Sequence, residues 1–110
     1  MTYPRPSKYG NKRTVIDGIR FDSKAEGRRY QQLKLLERAG EITRLELQKP
    51  FKLHAGIVYK ADFTYHEFAS NACIAEDIKG VETKEFKLKK RLFKADYPEW
   101  ELRVIPAKEV

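Results

Sequence analysis

The chain has 110 residues, the length of one domain, and its 41% hydrophobic and 12% aromatic content is typical of a globular protein rather than a disordered one. It carries 23 lysines and arginines against 16 aspartates and glutamates, and the resulting net charge of +7 makes nucleic acid the first partner to consider. The single cysteine, Cys73, excludes an intrachain disulfide and a cysteine-based zinc site. No stretch approaches the roughly 18 apolar residues of a membrane span, and residues 1–10 lack the apolar segment of a secretion signal, so we expect a cytoplasmic protein without a membrane partner.

The N-terminal part of the chain predicts an arm followed by a hairpin. Residues 1–13 contain two prolines and four basic residues but no acid, which indicates a basic arm, and we assign residues 14–110 to a single domain. Within that domain, Asp17-Gly18 stands between short apolar stretches. This dipeptide favours the tight turn of a two-stranded hairpin, which we place at residues 14–21.

A helix is predicted from Ser23 to Gly40, because Ser23 and Glu26 form a capping-box pattern and Gly40 is a typical C-terminal stop. We then expect one or two strands between residues 41 and 53 with Pro50 interrupting, strands over residues 57–68 and 72–79, a helix over 83–97 and a strand over 100–105. The order of helix, strands, helix and strand predicts a small α/β domain with a mixed sheet.

The two middle strands bring two aspartates together. If their turn is centred on Ala69-Ser70, the numbers of facing residues sum to 139, so Asp62 faces Asp77, and Lys79 lies on the same face. Like charges placed opposite each other destabilise a sheet, so such a pair is a candidate cation site, and with a lysine beside it suits Mg²⁺ and a phosphate ester. A one-residue slip in register, or a plain pair of surface acids, are the alternatives. The other face of these strands is expected to be core (Phe63, Tyr65, Ile74 and Ile78).

Glu26 is a third candidate acid. It lies on the apolar face of the first helix with Tyr30 and Leu33, which is an unusual place for a carboxylate. Alternatively, it only completes the capping box with Ser23 and complements the helix dipole.

The second helix carries a basic stripe. Its members fill an arc of roughly 120° on a helical wheel without an intervening acid; they are Lys84, Lys87, Lys90, Arg91 and Lys94. Such a stripe predicts contacts to nucleic-acid phosphates that position the backbone and do not read bases. The alternative is an ordinary solvated face.

Asp62, followed by Asp77-Ile78-Lys79, resembles the D…(D/E)-x-K signature of the PD-(D/E)XK nucleases, whose shared core is helix, three strands, helix, strand. More narrowly, the chain resembles a family of small phage and prophage proteins assigned to that superfamily. The matching stretches are Lys8-Tyr9-Gly10-Asn11-Lys12, Phe21-Asp22-Ser23-Lys24-Ala25-Glu26 with Arg29-Tyr30, Ala61-Asp62-Phe63, Glu76-Asp77-Ile78-Lys79-Gly80 and Phe86-Lys87-Leu88-Lys89-Lys90.

The resemblance implies a restriction-endonuclease-like αβββαβ core with a mixed sheet flanked by two helices. It implies that Asp62, Asp77, the carbonyl of Ile78 and Glu26 serve as ligands of Mg²⁺ or Mn²⁺, and that Lys79 lies beside the scissile phosphate. The sequence departs from the family pattern in two places, with Ala61 where a proline often precedes the first aspartate and aspartate rather than glutamate at position 77. A bulged strand would present Glu76 in place of Asp77.

These inferences predict a Mg²⁺-dependent deoxyribonuclease that hydrolyses phosphodiester bonds in phage or prophage DNA metabolism inside a bacterial host. The domain has no spare module for reading sequence, which favours recognition of branched or junction DNA, or of double-stranded DNA by shape. A homodimer is expected by analogy with small junction resolvases. The alternative is a non-catalytic nucleic-acid-binding protein, or an accessory protein of phage replication or packaging.

Overall fold

The elements of the domain follow the predicted order. The computed structural model describes residues 13–110, so all of the predicted basic arm except Arg13 lies outside the described residues. The strands are β1 Thr14–Ile16, β2 Ile19–Phe21, β3 Ile42–Lys52, β4 Val58–Glu67, β5 Ala72–Lys79 and β6 Trp100–Pro106, and the α-helices are α1 Lys24–Arg38 and α2 Lys84–Asp96. Short 3-10 turns occur at His54–Gly56 and Ala107–Glu109. The predicted α/β class, with a hairpin ahead of a helix, three strands, a helix and a strand, is therefore confirmed.

The N-terminal hairpin and the start of α1 form as their local sequence predicts. Asp17 and Gly18 both have positive φ angles, 54° and 76°, the combination required by the tight turn that Asp-Gly favours. The Ser23 hydroxyl accepts a hydrogen bond from the Glu26 N–H at 3.1 Å and caps α1. Gly27 lets the hairpin approach the helix closely, because a Cβ added there would lie 2.8 Å from the Thr14 methyl group.

The main sheet has the strand order β3-β4-β5-β6, with β3, β4 and β5 antiparallel and β6 parallel to β5. Between β4 and β5, the residue numbers of each pair from Phe63↔Glu76 to Glu67↔Ala72 sum to 139, which confirms the predicted register. Residues 42–52 form one strand although they contain Pro50, because β3 is an edge strand and the missing N–H of proline is tolerated there.

Each face of the sheet is covered by one α-helix. The core on the α1 face contains Phe21, Tyr30, Leu33, Ile42, Phe63, Tyr65, Ile74 and Ile78, and the core on the α2 face contains Phe51, Leu53, Tyr59, Ala61, Ala75, Phe86 and Phe93. The four strand residues predicted to share a core face therefore do so. No helix within residues 13–110 is long and apolar enough to cross a membrane.

Along β3 and β4, the face of the sheet on which the core side chains pack switches near the middle of each strand. Leu47 packs in the α1 core whereas Phe51 packs in the α2 core, although alternation would put both on the same face. The same switch separates Phe63 from Ala61 on β4. Gln48, between the two β3 residues, has a φ of 55°, and this left-handed residue turns the strand. Asp62 thus lies at the point on β4 where core side chains switch from the α2 face of the sheet to the α1 face.

Candidate functional site

Asp77 is the most buried acid of the predicted site. It lies on β5 with its side chain only 4% exposed, and its two oxygens have different partners. The Tyr59 hydroxyl donates to Oδ2 at 2.7 Å, and Lys79 Nζ lies 3.2 Å from Oδ1. Burial raises the pKa of the Asp77 carboxyl above its usual value, while Tyr59 and Lys79 act in the opposite direction. No local pattern predicts the contact of Tyr59, because it depends on how β4 and β5 lie beyond the end of their pairing.

Asp62 lies where β4 and β5 separate. The pairing between the strands stops at Phe63↔Glu76, and beyond it the Ile78 N–H donates to Asp62 Oδ2 at 2.8 Å. The Gln48 side-chain amide donates to Oδ1 at 3.2 Å. Burial, followed by the charge of Asp77, raises the pKa of Asp62 to about 6 despite these two donors. The side chain of Asp62 thus takes the place of the next strand–strand hydrogen bond.

Glu26 approaches the two aspartates from the first turn of α1. Burial, and then the negative charges of Asp62 and Asp22, raise its pKa to about 7, with a smaller effect from Asp77. The capping role is also present, because its N–H bonds to Ser23. Glu26 therefore shares an electrostatic environment with the aspartate pair, and its role as a ligand stays a prediction.

The donor atoms suit a hard cation but form an incomplete ligand set. Among residues 13–110, no group of three or more histidine, cysteine, aspartate or glutamate side chains lies close enough together to hold one ion. The charge of Asp77 raises the pKa of Asp62, and two neighbouring carboxylates still suit a divalent cation, which prefers oxygen ligands. A residue in an extended strand directs its N–H and C=O to the same neighbour, so the Ile78 carbonyl, like its N–H, is directed toward β4 and Asp62. Water or phosphate oxygens would have to complete the set.

Glu76 has a different role from Asp77. Its side chain is fully buried on the α1 face, where Arg29 donates to both oxygens, at 2.8 Å and 2.6 Å, and the Tyr65 hydroxyl donates as well. The alternative in which a bulge presents Glu76 at the cation site is therefore not the arrangement observed. Arg29, Glu76 and Tyr65 instead join α1 to the central strands.

Two cavities flank the aspartate pair. The first, of about 430 Å³, is lined by Val58, Tyr59, Lys60, Asp77, Lys79, Thr83, Glu85, Phe86 and Lys89. The second, of about 310 Å³, is lined by Ile19, Arg20, Phe21, Asp22, Glu26, Leu47, Gln48, Asp62 and Phe63. The cavity that contains Asp77 is thus lined by three lysines, of which Lys79 is one. The cavity that contains Asp62 and Glu26 is lined by three acids in all, the third being Asp22.

None of the five members of the predicted basic stripe lines either cavity. Lys84, Lys87, Arg91 and Lys94 are exposed, whereas Lys90 pairs with Glu82 at 2.7 Å. Besides Lys79, two further lysines line the cavity that contains Asp77, namely Lys60 and Lys89, and neither was a predicted site residue. Because β4 changes face between Ala61 and Phe63, alternation from Asp62 does not predict the position of Lys60.

The fold and the site together define a small mixed α/β domain with paired, partly desolvated aspartates at the point where two strands separate. The chain belongs to the DUF1064 family, described as a protein of unknown function, whose model matches residues 6–109. The match spans every residue of the candidate site. No curated protein matches the chain.

Proposed function

We propose that this protein is a metal-dependent DNA endonuclease of the PD-(D/E)XK type that hydrolyses phosphodiester bonds, with branched or junction DNA of a phage or prophage as its substrate. The observation that carries the proposal is the convergence of Asp62, Asp77 and Lys79 where β4 and β5 separate. A homodimer would supply two such sites for paired cuts.

In this proposal, Asp62, Asp77 and the Ile78 carbonyl hold Mg²⁺ or Mn²⁺. The ion, when bound, supplies Lewis-acid polarisation of the phosphate and lowers the pKa of water. Tyr59 fixes the Asp77 carboxylate through its hydrogen bond to Oδ2, so that Oδ1 is left facing Lys79. These contacts set the positions of the two Asp77 carboxylate oxygens before the substrate binds.

Lys79 stabilises the negative charge that develops on the phosphate during attack. Its ammonium group lies 4.4 Å from the centre of the Phe86 ring, and this contact restricts where the flexible side chain points. Glu26, which lines the same cavity as Asp62, would hold a water bound to the ion.

Cleavage of supercoiled and branched DNA with Mg²⁺, and with EDTA, tests the proposal. We expect cleavage by the wild type only with Mg²⁺, and a loss on the order of 100-fold or more in Asp77→Asn, which keeps the shape of the side chain and removes its charge. Lys79→Ala should lose cleavage as well. Glu99→Gln, at an exposed carboxylate outside both cavities, is the matched control. Wild-type rates in both site variants would refute this assignment.

A second candidate is a non-catalytic nucleic-acid-binding protein. It is favoured by the incomplete ligand set, because no three side chains of the described part of the chain close around one ion. DNA binding by the wild type without cleavage in Mg²⁺ or Mn²⁺ would support this candidate over the nuclease.

A further inference from the structure

We propose that the cavity lined by Lys60, Lys79 and Lys89 is a phosphate-binding subsite that takes the nucleic-acid phosphate next to the reacting one. The inference rests on the proposed function for the class of ligand. It assigns DNA contacts to Lys60 and Lys89, which lie outside the basic stripe of α2.

The first argument is the availability of the lysine charges. Lys60 is exposed and forms no ion pair within residues 13–110, and residues 1–12 contain no acid that could pair with it. Lys89 pairs with Glu85 at 3.3 Å, but the Glu85 side chain is 78% exposed. Such a solvent-screened pair is weak, so a phosphate can exchange for the carboxylate. Both ammonium groups are therefore available to a ligand.

The second argument is position. The same cavity contains Asp77 and Lys79, so a phosphate held between Lys60 and Lys89 lies beside the reacting group. Thr83, the N-cap of α2, forms part of the wall, and the positive end of the helix dipole adds to the attraction for an anion. The volume of about 430 Å³ is within the range of sites that hold small ligands.

The third argument is the contrast with the second cavity. Asp22, Glu26 and Asp62 line that cavity, together with Gln48, apolar side chains and a single basic residue, Arg20, whereas the first cavity has three lysines against Asp77 and Glu85. Three carboxylates repel a phosphate that lacks a bridging cation. The phosphodiester backbone is therefore expected to pass through the lysine-lined cavity.

The test is a binding titration in EDTA, where no cleavage occurs, using a fluorescent double-stranded oligonucleotide at several salt concentrations. Lys60→Gln with Lys89→Gln should weaken binding at least tenfold and flatten the salt dependence by about 0.9 log-log units per lost phosphate contact. Lys52→Gln with Lys108→Gln removes the same charge from exposed positions outside both cavities. We expect this control, and Arg20→Gln, to stay within about threefold of wild type.

Lys60→Arg with Lys89→Arg should retain most of the affinity, because charge and reach are preserved. The subsite is refuted if the double glutamine variant binds like the matched control. Failure of the nuclease proposal gives a different result, namely weakened binding of the double variant while the wild type shows no Mg²⁺-dependent cleavage. Mg²⁺-dependent cleavage together with unchanged binding of the double variant would support the nuclease proposal and refute the subsite.

Discussion

At the scale of single residues, Asp62 and Asp77 differ in what compensates their charge. Asp77 is held by a hydroxyl and an ammonium group, whereas Asp62 is held by a backbone N–H and a side-chain amide. Both carboxyls nevertheless have raised pKa values, and burial is the largest cause in each. The folded, metal-free protein therefore carries unfavourable charge at this point, which a cation or a proton relieves.

We expect the free energy of unfolding in EDTA to fall as the pH rises from about 4.5 to about 7. The pKa of Glu26 is raised from 4.5 to about 7, so in this window the folded state binds more protons than the unfolded state and loses stability as they dissociate. Asp62, raised to about 6, acts in the same direction. Denaturant unfolding at several pH values measures the slope.

Glu26→Gln should flatten this pH dependence, and Glu99→Gln should leave it as in the wild type. The interaction of Glu26 with the aspartates is contradicted if Glu26→Gln retains the full wild-type slope. Glu67 does not interfere with the measurement, because Arg103 lowers its pKa to about 2 and its effect on stability appears only as the pH falls below about 4.5.

At the scale of elements, α1 is joined to β5 by a buried ion pair and α2 presents cations to solvent. The guanidinium of Arg29 is 20% exposed and the carboxylate of Glu76 is fully buried. Because Glu26 lies one turn before Arg29, and Asp77 directly follows Glu76, the same ion pair keeps the acids of the two elements near each other. Its primary role is structural.

Arg29→Ala should lower the free energy of unfolding by about 3–5 kcal/mol, because it leaves the Glu76 charge buried without its partner. Lys34→Ala removes the pair with Glu37 on the same helix and should lower the free energy of unfolding far less, because that pair is screened by solvent. Urea unfolding of the three proteins measures the difference. Equal stability of the two variants would contradict the structural role of the Arg29–Glu76 pair.

On α2, the structure separates Lys90 from the other members of the stripe. Lys90 lies 2.7 Å from a Glu82 oxygen, so less of its charge is available to DNA. We expect Lys87→Ala to weaken binding to all DNA sequences and to reduce the salt slope by up to about 0.9, whereas Lys90→Ala should have a smaller effect. Anisotropy titrations at several salt concentrations provide the comparison. Equal losses of DNA affinity in both variants would show that the ion pair with Glu82 does not reduce the contribution of Lys90 to binding.

At the scale of the whole molecule, a basic chain carries an acidic pair at the junction of two unlike cavities. A net charge of +7 is expected to attract a polyanion such as nucleic acid over the surface as a whole, and Asp62 and Asp77 are expected to repel it locally. A bound divalent cation removes that local repulsion. Metal binding and nucleic-acid binding are therefore expected to reinforce each other.

Mn²⁺ should stabilise the native protein, because the unfolded chain has no preformed pair of carboxylates. At a hundredfold excess over Kd the gain is about 2.7 kcal/mol, a rise in Tm on the order of 10 °C for a domain of this size. Asp77→Asn should melt higher than wild type in EDTA, since it removes a buried charge, yet gain much less from Mn²⁺.

Melting curves of both proteins with EDTA and with Mn²⁺ decide the outcome. A variant less stable than wild type in both conditions would assign Asp77 a purely structural role. No metal-dependent shift of the wild type up to ~10 mM Mn²⁺ would exclude a preformed cation site in the free protein, since stabilisation requires a concentration above Kd.

Most of the local structure was predictable from the amino-acid sequence alone. The turn at Asp17-Gly18, the cap at Ser23 and the β4–β5 register follow from short-range preferences and from alternation, which do not need the rest of the fold. Continued one residue beyond its last pair, this register sets Asp62 against Asp77, so the nearness of the two aspartates was predictable from spacing, although the strands separate there.

Which polar groups meet across elements depends instead on the tertiary packing of the elements. The left-handed Gln48, the contact of Tyr59 with Asp77 and the pairing of Arg29 with Glu76 join residues distant in sequence or depend on a local change of face. The same holds for the basic residues, since the helical wheel identified the exposed stripe but not the cavity that Lys60 on β4 and Lys89 on α2 both line. Periodicity predicts which side chains share a face of one helix or strand. Which residues of other elements contact that face is set by how the sheet twists and how the helices pack on it.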